Sequence, residues 1–212
     1  MTNQIGSASD RPAVEIIPVK VVVAGGFGVG KSTFVHTISE IEPLESEALI
    51  TQASDEIDDI ALTGAKATTT VAMDFGRITL GDELVLYLFG TPGQPRYRFM
   101  WDELVRGAIG AVVLADTRRL ADCFAAVDYF EQRNVPFVVA VNPFDGDRTH
   151  ELDEVRAALQ VPSTVPMLYA DARQRDDVRT ALKAVVRDAL IRSREAERRQ
   201  AMGLADAAVD SR

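Results

Sequence analysis

The sequence is short of cysteine and of positive charge, and each shortage excludes a class of protein. Its 212 residues include one cysteine, which excludes an internal disulfide framework. We interpret Cys123 as a buried apolar helix residue and not as a nucleophile. The 23 Lys and Arg residues stand against 32 Asp and Glu, a net charge of -9. This balance argues against general binding of nucleic acid or of anionic membranes, because both need an excess of positive charge.

Long apolar runs and membrane-targeting signals are missing too. No run approaches the ~20 apolar residues of a membrane span, and the polar first residues do not resemble a signal peptide. The chain begins Met-Thr and ends "AAVDSR", which offers neither a myristoylation site nor a prenylatable cysteine. These absences predict a cytoplasmic protein without a membrane anchor of its own, which would reach a membrane only through a partner.

The order of apolar runs predicts one α/β domain. We expect a flexible leader at 1–13, the domain at 14–200 and a disordered tail at 201–212. Six strands are predicted, at 16–24, 69–80, 83–90, 109–115, 136–141 and 166–170. Helices are predicted at 31–39, 119–133, 149–160 and 175–200, and a loop followed by a helix is predicted over 91–107. This alternation indicates a mostly parallel six-stranded sheet with helices on both faces.

The two strands on either side of Gly81 and Asp82 are expected to form a hairpin, with these two residues as its tight turn. The segment 40–59 contains eight acidic residues and no Lys or Arg. It is predicted to be a solvated acidic loop, with or without a short helix.

One stretch predicts a phosphate-binding loop. "GGFGVGKS" at 25–32 fits the pattern G-x-x-x-x-G-K-[ST] between a buried strand and a helix. In such a loop backbone N–H groups turn toward phosphate oxygens, Lys31 reaches the β- and γ-phosphates, and the Ser32 hydroxyl is placed to bind Mg²⁺. The predicted phosphate-binding residues are Gly25, Phe27, Gly28, Val29, Gly30, Lys31, Ser32 and Thr33.

Two later stretches resemble the switch regions of Ras-like GTPases. "TTTVAMDF" at 68–75 resembles switch I, which implies that Thr70 binds Mg²⁺ and the γ-phosphate. Thr69 is the alternative, and plain strand-edge threonines are a third interpretation. "GTPGQ" at 90–94 resembles the switch II motif. This implies that the Gly93 N–H contacts the γ-phosphate and that Gln94 orients the attacking water.

Two further stretches resemble guanine-reading motifs. "NPFD" at 142–145 and "DAR" at 171–173 are similar to N-K-x-D and S-A-K. The likeness implies that Asn142 ties its loop to the glycine loop, that Asp145 accepts from guanine N1–H and the 2-amino group, and that the Ala172 N–H faces guanine O6. Asp171 and Arg173 complete the second motif.

Taken together, the five motifs resemble those of small Ras-like P-loop GTPases over residues 16–192. "TTTVAMDFGRITL" and "LFGTPGQPRYRFMWDELVRGAIGAVVLAD" look most like the bacterial group related to the gliding-motility polarity GTPase, and closest to the ATP/GTP-binding proteins of actinomycete conservon operons. The resemblance implies a signalling switch that binds GTP or GDP with Mg²⁺ and hydrolyses GTP slowly. It also implies two partners, a roadblock-fold regulatory protein and a sensor-kinase-like membrane complex.

The sequence departs from that pattern at the metal and base sites. Gly90 stands where Ras-like proteins have the aspartate that holds a Mg²⁺-bound water, and Asp74 and Asp116 are interpreted as structural residues. Pro143 replaces the lysine whose stem covers the guanine ring; proline still offers an apolar surface, and guanine remains the expected base.

Further departures surround the reacting phosphate. Phe27 is bulky where Ras-like proteins have a small residue, which predicts slow hydrolysis. Pro92 and Pro95 restrict the loop that carries Gln94, so a partner is expected to bring Gln94 into place. A solvated position is favoured for Arg96 and Arg98, and stabilisation of phosphate charge is the alternative.

Three functions therefore stay open at this stage. The first is a nucleotide-dependent switch, in which Tyr97, Phe99, Met100 and Trp101 form a partner surface or pack on the sheet. The second, a non-catalytic nucleotide-binding adaptor, is favoured by Gly90 and Phe27. A small-molecule phosphotransferase is the third, and the acidic segment 40–59 is an unpromising lid for it.

Overall fold

A seven-stranded sheet organises the molecule, and the computed structural model describes residues 16–42, 44–51, 68–81, 83–146 and 148–209 of it. The strand order is β2-β3-β4-β1-β5-β6-β7. The strands are β1 (Ile17–Gly25), β2 (Leu44–Thr51), β3 (Thr68–Leu80), β4 (Leu84–Gly90), β5 (Ala108–Ala115), β6 (Phe137–Val141) and β7 (Met167–Tyr169). All neighbouring pairs from β4 to β7 are parallel, and only β2–β3 and β3–β4 are antiparallel. The predicted α/β fold with a mostly parallel sheet is confirmed.

All six predicted strands are present, and β2 is an addition that corrects one prediction. It lies within the segment 40–59, which was predicted to be a loop, and it pairs antiparallel with β3 from Leu44–Phe75 to Thr51–Thr68. Acidic side chains do not prevent an extended segment from adding to the edge of a sheet, and charged residues are common on edge strands. Residues 52–67 of the acidic region lie outside the described residues.

Helices cover both faces of the sheet. They are α1 (Lys31–Ile38), α2 (Trp101–Val105), α3 (Phe124–Gln132), α4 (Leu152–Leu159) and α5 (Arg175–Val209), and three 3₁₀ helices lie at Pro95–Met100, Thr117–Cys123 and Phe144–Gly146. The predicted helix at 175–200 is therefore too short. It continues to Val209, so 201–209, predicted to be disordered, are helical in backbone. Among the described residues, no helix combines the length and apolarity needed to cross a bilayer.

The valine run of β1 is explained by burial on both faces. Val21 and Val23 pack with Phe34 of α1 and Leu182 of α5, whereas Val22 belongs to the cluster of α2, α3 and α4 on the other face. Successive strand residues point to opposite faces, so a strand covered on both sides needs apolar residues at every position. The end of β1, where the glycine loop begins, is therefore held in place by packing on both faces of the sheet.

Cys123 is buried at the end of the second 3₁₀ helix, within the α3 cluster. Burial raises the pKa of its thiol to about 12, so almost no thiolate forms near neutral pH. This environment confirms the interpretation of Cys123 as an apolar packing residue.

Candidate nucleotide-binding site

The glycine loop joins the end of β1 to the start of α1, as the motif predicts. Three of its glycines have positive φ angles: Gly25 at 138°, Gly28 at 74° and Gly30 at 100°. Gly30 is the left-handed residue before α1, and its carbonyl accepts the first helical hydrogen bond, from the Phe34 N–H at 2.8 Å. Backbone N–H groups at such a helix start form a ready anion site.

Lys31 lies inside this loop. It is 8% exposed, and its Nζ donates to the carbonyl oxygens of Gly25 at 3.1 Å and Gly26 at 2.6 Å. Burial lowers the pKa of Lys31 to about 8, while the negative charge of Asp74 opposes that shift. An anion bound in the loop would therefore lie next to the Lys31 ammonium group, which burial has largely removed from water.

Asp74, interpreted from the sequence as a structural residue, stands beside the loop. Its Oδ2 accepts a 2.8 Å hydrogen bond from the hydroxyl of Ser32, and His36 Nε2 lies 3.6 Å from Oδ1. Asp74 lies one residue beyond the β3–β4 pair of Phe75 and Phe89, opposite Gly90. A Cβ added to Gly90 would lie 2.9 Å from Asp74 Oδ2 and 3.1 Å from its Cβ.

The space that an aspartate at Gly90 would need is thus filled by a carboxylate from the neighbouring strand. A hydroxyl and a carboxylate in contact are oxygen ligands of the kind that Mg²⁺ binds, together with phosphate oxygens. Ser32 and Asp74 therefore fit a magnesium ion at the mouth of the loop.

A cavity of about 560 Å³ opens between the glycine loop and the segment that follows β4. Its lining includes Lys31, Ser32, Thr33, Asp74, Thr91, Gly93, Gln94 and Arg96. The Thr91 hydroxyl is buried and has no hydrogen-bond partner among the described residues. Most buried polar atoms in proteins have a hydrogen-bond partner, so the Thr91 hydroxyl is an exception within a residue of the cavity wall.

Gly93 brings the predicted switch II segment into direct contact with the loop. A Cβ at this position would lie 2.6 Å from Lys31 Nζ and 2.9 Å from the Phe27 Cα atom. The segment can approach this closely only because residue 93 has no side chain. Gly93 and Gln94 therefore both lie at the predicted phosphate end of the site.

Asn142 joins three separate stretches of chain at the other end of the loop. Its Nδ2 donates to the Val29 carbonyl at 3.0 Å, and its Oδ1 accepts from the Ala172 N–H at 3.1 Å. Asn142 thus contacts the glycine loop as expected. The Ala172 N–H was predicted to face guanine O6, and this is wrong here, because that N–H is already donated to Asn142.

Asp171, Arg173 and Asp145 are the other residues of the predicted guanine site. The Asp171 carboxylate accepts from the backbone N–H, Nε and Nη2 of Arg173. These hydrogen bonds, the Arg173 side chain first, lower the pKa of Asp171. The backbone of Asp145 lies in the 3₁₀ helix Phe144–Gly146 and that of Thr70 in β3, but the side chains of both residues lie outside the described part of the structure.

Asp116 is structural, as interpreted from the sequence. Its Oδ1 and Oδ2 accept from Nε and Nη2 of Arg118 at 3.0 and 2.9 Å. The Arg118 guanidinium lies over the Phe144 ring at 3.9 Å.

The aromatic residues of the predicted partner surface divide into two groups. Tyr97 and Trp101 are 7% and 3% exposed, whereas Phe99 is 57% exposed. Phe27, at the tip of the glycine loop, is 63% exposed. Packing therefore accounts for Tyr97 and Trp101, whereas Phe27 and Phe99 each present an exposed aromatic ring.

Comparison with known proteins supports a nucleotide site on this fold. A family model described as "Conserved hypothetical ATP binding protein" matches residues 23–203. An uncharacterized protein of Methanocaldococcus jannaschii is 30% identical over 129 residues, 60% of this chain and 71% of that protein. The Ras-related protein RABC1 of Arabidopsis thaliana is 29% identical over 118 residues, 54% of this chain and 45% of that protein.

Solved structures with a similar fold are G domains. The G domain of the T. maritima FeoB iron transporter has a TM-score of 0.58 at 16% identity, over 82% of this chain and 99% of that domain. The FeoB G domain of Methanococcus jannaschii has a TM-score of 0.55 at 11% identity, over 81% and 97%. The cytosolic domain of T. maritima FeoB in its GDP form has a TM-score of 0.59 at 15% identity, over 82% of this chain and 64% of that longer chain.

Proposed function

The chain belongs to the family of conserved hypothetical ATP-binding proteins and has a G-domain fold, and from this premise we propose that it is a guanine-nucleotide switch with slow GTPase activity. The observation that carries the proposal is the cavity beside the glycine loop. It brings Lys31, Ser32, Asp74 and Gln94 together, and these are the residue types that phosphoryl transfer to water requires.

In the proposed reaction, each side chain has one task. Lys31 and the loop N–H groups hold the β- and γ-phosphates, and Gln94 orients the water that attacks the γ-phosphorus. Thr70, from switch I, closes over the γ-phosphate from the other side. Mg²⁺, held by Ser32 and supported by Asp74, would neutralise charge on the phosphate oxygens when bound.

Recognition of guanine is a separate part of the proposal. Asn142 supports it by holding the 142–145 loop against the glycine loop. Since the Ala172 N–H is donated to Asn142, selectivity for guanine over adenine rests on the Asp145 carboxylate. The family's description points to ATP, so the choice of base is the first property to test.

The test is thermal stabilisation by GTP, GDP, ATP and ADP, each with Mg²⁺. At about 100 times Kd, a ligand stabilises the folded state by about 2.7 kcal/mol, which for a domain of this size raises Tm by roughly 5–10 °C. We expect this rise with guanine nucleotides and not with adenine nucleotides, and its loss in Lys31→Ala. Stabilisation by ATP alone contradicts the role of Asp145, and stabilisation by none of the four contradicts nucleotide binding itself.

The proposed switch movement can be followed with the only tryptophan of the chain. Trp101 is buried, and its Nε1 donates to the Pro92 carbonyl at 3.3 Å. If triphosphate reorders 90–100, this hydrogen bond changes and the emission of Trp101 shifts between GDP and a non-hydrolysable GTP analogue. The control is Gln94→Ala, which leaves Trp101 in place and should still bind nucleotide. Identical spectra with both nucleotides bound would contradict a movement of switch II.

The proposed partners come from the resemblance to conservon-operon proteins. A roadblock-fold regulator would dock at the switch regions, where Phe27 and Phe99 are exposed, and any contact with a membrane would come through a sensor-kinase-like complex. Exposed aromatic residues of this kind are typical of interface centres.

A further inference from the structure

Arg96 and Arg98 lie two residues apart on the same 3₁₀ helix, Pro95–Met100, but their side chains have different surroundings. Arg96 lines the cavity beside the glycine loop, together with Lys31 and Gln94, and Arg98 does not. Both side chains are exposed. From the sequence alone the two arginines cannot be distinguished, because both follow Gln94 closely in a polar, aromatic stretch.

Tyr97 forms the support for Arg96. The Arg96 guanidinium lies over the Tyr97 ring, 4.7 Å from its centroid, and that ring is buried. The Tyr97 N–H in turn donates to the Gln94 carbonyl at 3.1 Å. The arginine therefore rests on the buried ring of a residue whose backbone is hydrogen-bonded to Gln94, the residue predicted to orient water. A guanidinium held on a ring face keeps its N–H donors directed outward in its plane.

The other arginines around the site are paired with carboxylates. Arg119 contacts Asp122 at 2.5 Å, and Arg173 contacts Asp171 at 2.8 Å. For Arg96 the described residues include no such carboxylate within ion-pair distance. Of the residues that the structure describes, Arg96 and Lys31 are the two with cationic side chains that line the cavity. These features point to an anion as the missing partner of Arg96.

From this geometry we propose that Arg96 is an arginine finger supplied by the chain itself, which contacts the γ-phosphate during hydrolysis. The inference rests on the proposed GTPase function. The water oxygen bonds to the γ-phosphorus, the bond from phosphorus to the β–γ bridging oxygen breaks, and GDP and inorganic phosphate leave, with the water proton on the phosphate. Arg96 gives up no proton, and its N–H groups stabilise the charge that develops on the γ- and bridging oxygens.

Single-turnover release of γ-phosphate from bound GTP tests this role in the full chain, with Arg96→Ala, Arg96→Lys and, as the matched control, Arg98→Ala. Arginine fingers contribute about 10³–10⁵ in rate where they are fully engaged. We expect Arg96→Ala to slow release at least about 100-fold and Arg96→Lys to recover part of the rate, with Arg98→Ala unchanged. Affinity for GTP should change less than about threefold in all three variants, because the contact belongs to the transition state.

A second measurement separates a contact with phosphate from a structural role. GDP with aluminium fluoride mimics the transferring phosphoryl group, and we expect it to raise the Tm of wild type and Arg98→Ala but not of Arg96→Ala. If wild type and Arg96→Ala release phosphate at the same rate, the proposed role of Arg96 is contradicted but the GTPase function is not. The same holds if Arg98→Ala slows release as much as Arg96→Ala does. A wild type that binds GTP and never releases phosphate, with or without a roadblock-fold partner, contradicts the proposed GTPase function and the role of Arg96 with it.

Discussion

Gly90→Asp is expected to weaken nucleotide binding, although it introduces the residue that Ras-like proteins have at this position. The new Cβ would lie 2.9 Å from Asp74 Oδ2 and 3.1 Å from Asp74 Cβ, closer than side chains pack without displacement. It would also add a second carboxylate to a site that already holds one. The added charge would also lie near the nucleotide phosphates, and repulsion of about 1.4 kcal/mol between the two corresponds to a tenfold loss of affinity.

The exchange variant Gly90→Asp with Asp74→Ala should reverse much of that loss. It leaves one carboxylate at the mouth of the loop, carried by β4 in place of β3. We propose to measure the dissociation rate of a fluorescent nucleotide with Mg²⁺ and after chelation by EDTA. In wild type and in the exchange variant, chelation should accelerate release at least about tenfold, as expected if a carboxylate supports the metal.

Two single variants give the control. Asp74→Asn keeps an oxygen that can accept from the Ser32 hydroxyl but removes the charge, and Asp74→Ala removes both. Both should release nucleotide at nearly the same rate with and without EDTA. If Asp74→Ala keeps the full response to EDTA, the carboxylate of Asp74 does not support Mg²⁺, and the contact with Ser32 serves packing only.

The register of one hairpin explains why the sequence did not reveal the position of Asp74 opposite Gly90. A two-residue turn at Gly81 and Asp82 would pair Leu80 with Glu83, and Met73 would then lie opposite Gly90. The structure pairs Leu80 with Leu84, which brings Asp74 opposite Gly90. A shift of one residue in the register places every residue of β3 opposite a different residue of β4. The turn sequence allows loops of either length.

The glycine loop was predictable in more detail, because its function constrains the backbone as well as the side chains. The pattern required a buried strand before Gly25 and a helix from Lys31, and both are present. Asn142 was placed against the loop by its motif, and the contact with Val29 confirms that placement. Local spacing was sufficient here because each motif lies at the end of a strand, where the parallel sheet gathers them at one edge.

Two other features of the structure were not predictable in this way. The pairing of β2 with β3 depends on backbone hydrogen bonds that composition does not encode, and the acidic residues of 40–59 suggested a loop. The same holds for Arg96 and Arg98, which differ only in their position around a short 3₁₀ helix. Side chains two residues apart point in different directions on such a helix, but the sequence does not say which of them faces the cavity.

Gly25→Ala is expected to destabilise the protein strongly even without nucleotide. The new Cβ would lie 2.5 Å from the Leu114 carbonyl oxygen, and Gly25 has a φ angle of 138°. The atom that it meets belongs to the backbone of β5, which is paired with β1 on one side and β6 on the other, so it has little freedom to move away. We expect a loss of at least about 3 kcal/mol in the free energy of unfolding, or roughly 6–12 °C in Tm.

Gly28→Ala in the same loop separates backbone strain from steric overlap. Gly28 also has a positive φ angle, 74°, but a Cβ there would meet no atom within 4 Å, so the cost is the ~1 kcal/mol of a left-handed alanine. Thermal and urea unfolding of the nucleotide-free variants would measure both. Equal losses in the two variants would mean that β1 and β5 can move apart at Gly25. If Gly25→Ala loses about three times as much unfolding free energy as Gly28→Ala, the parallel sheet fixes the position of the loop. The phosphate site is then formed before nucleotide binds.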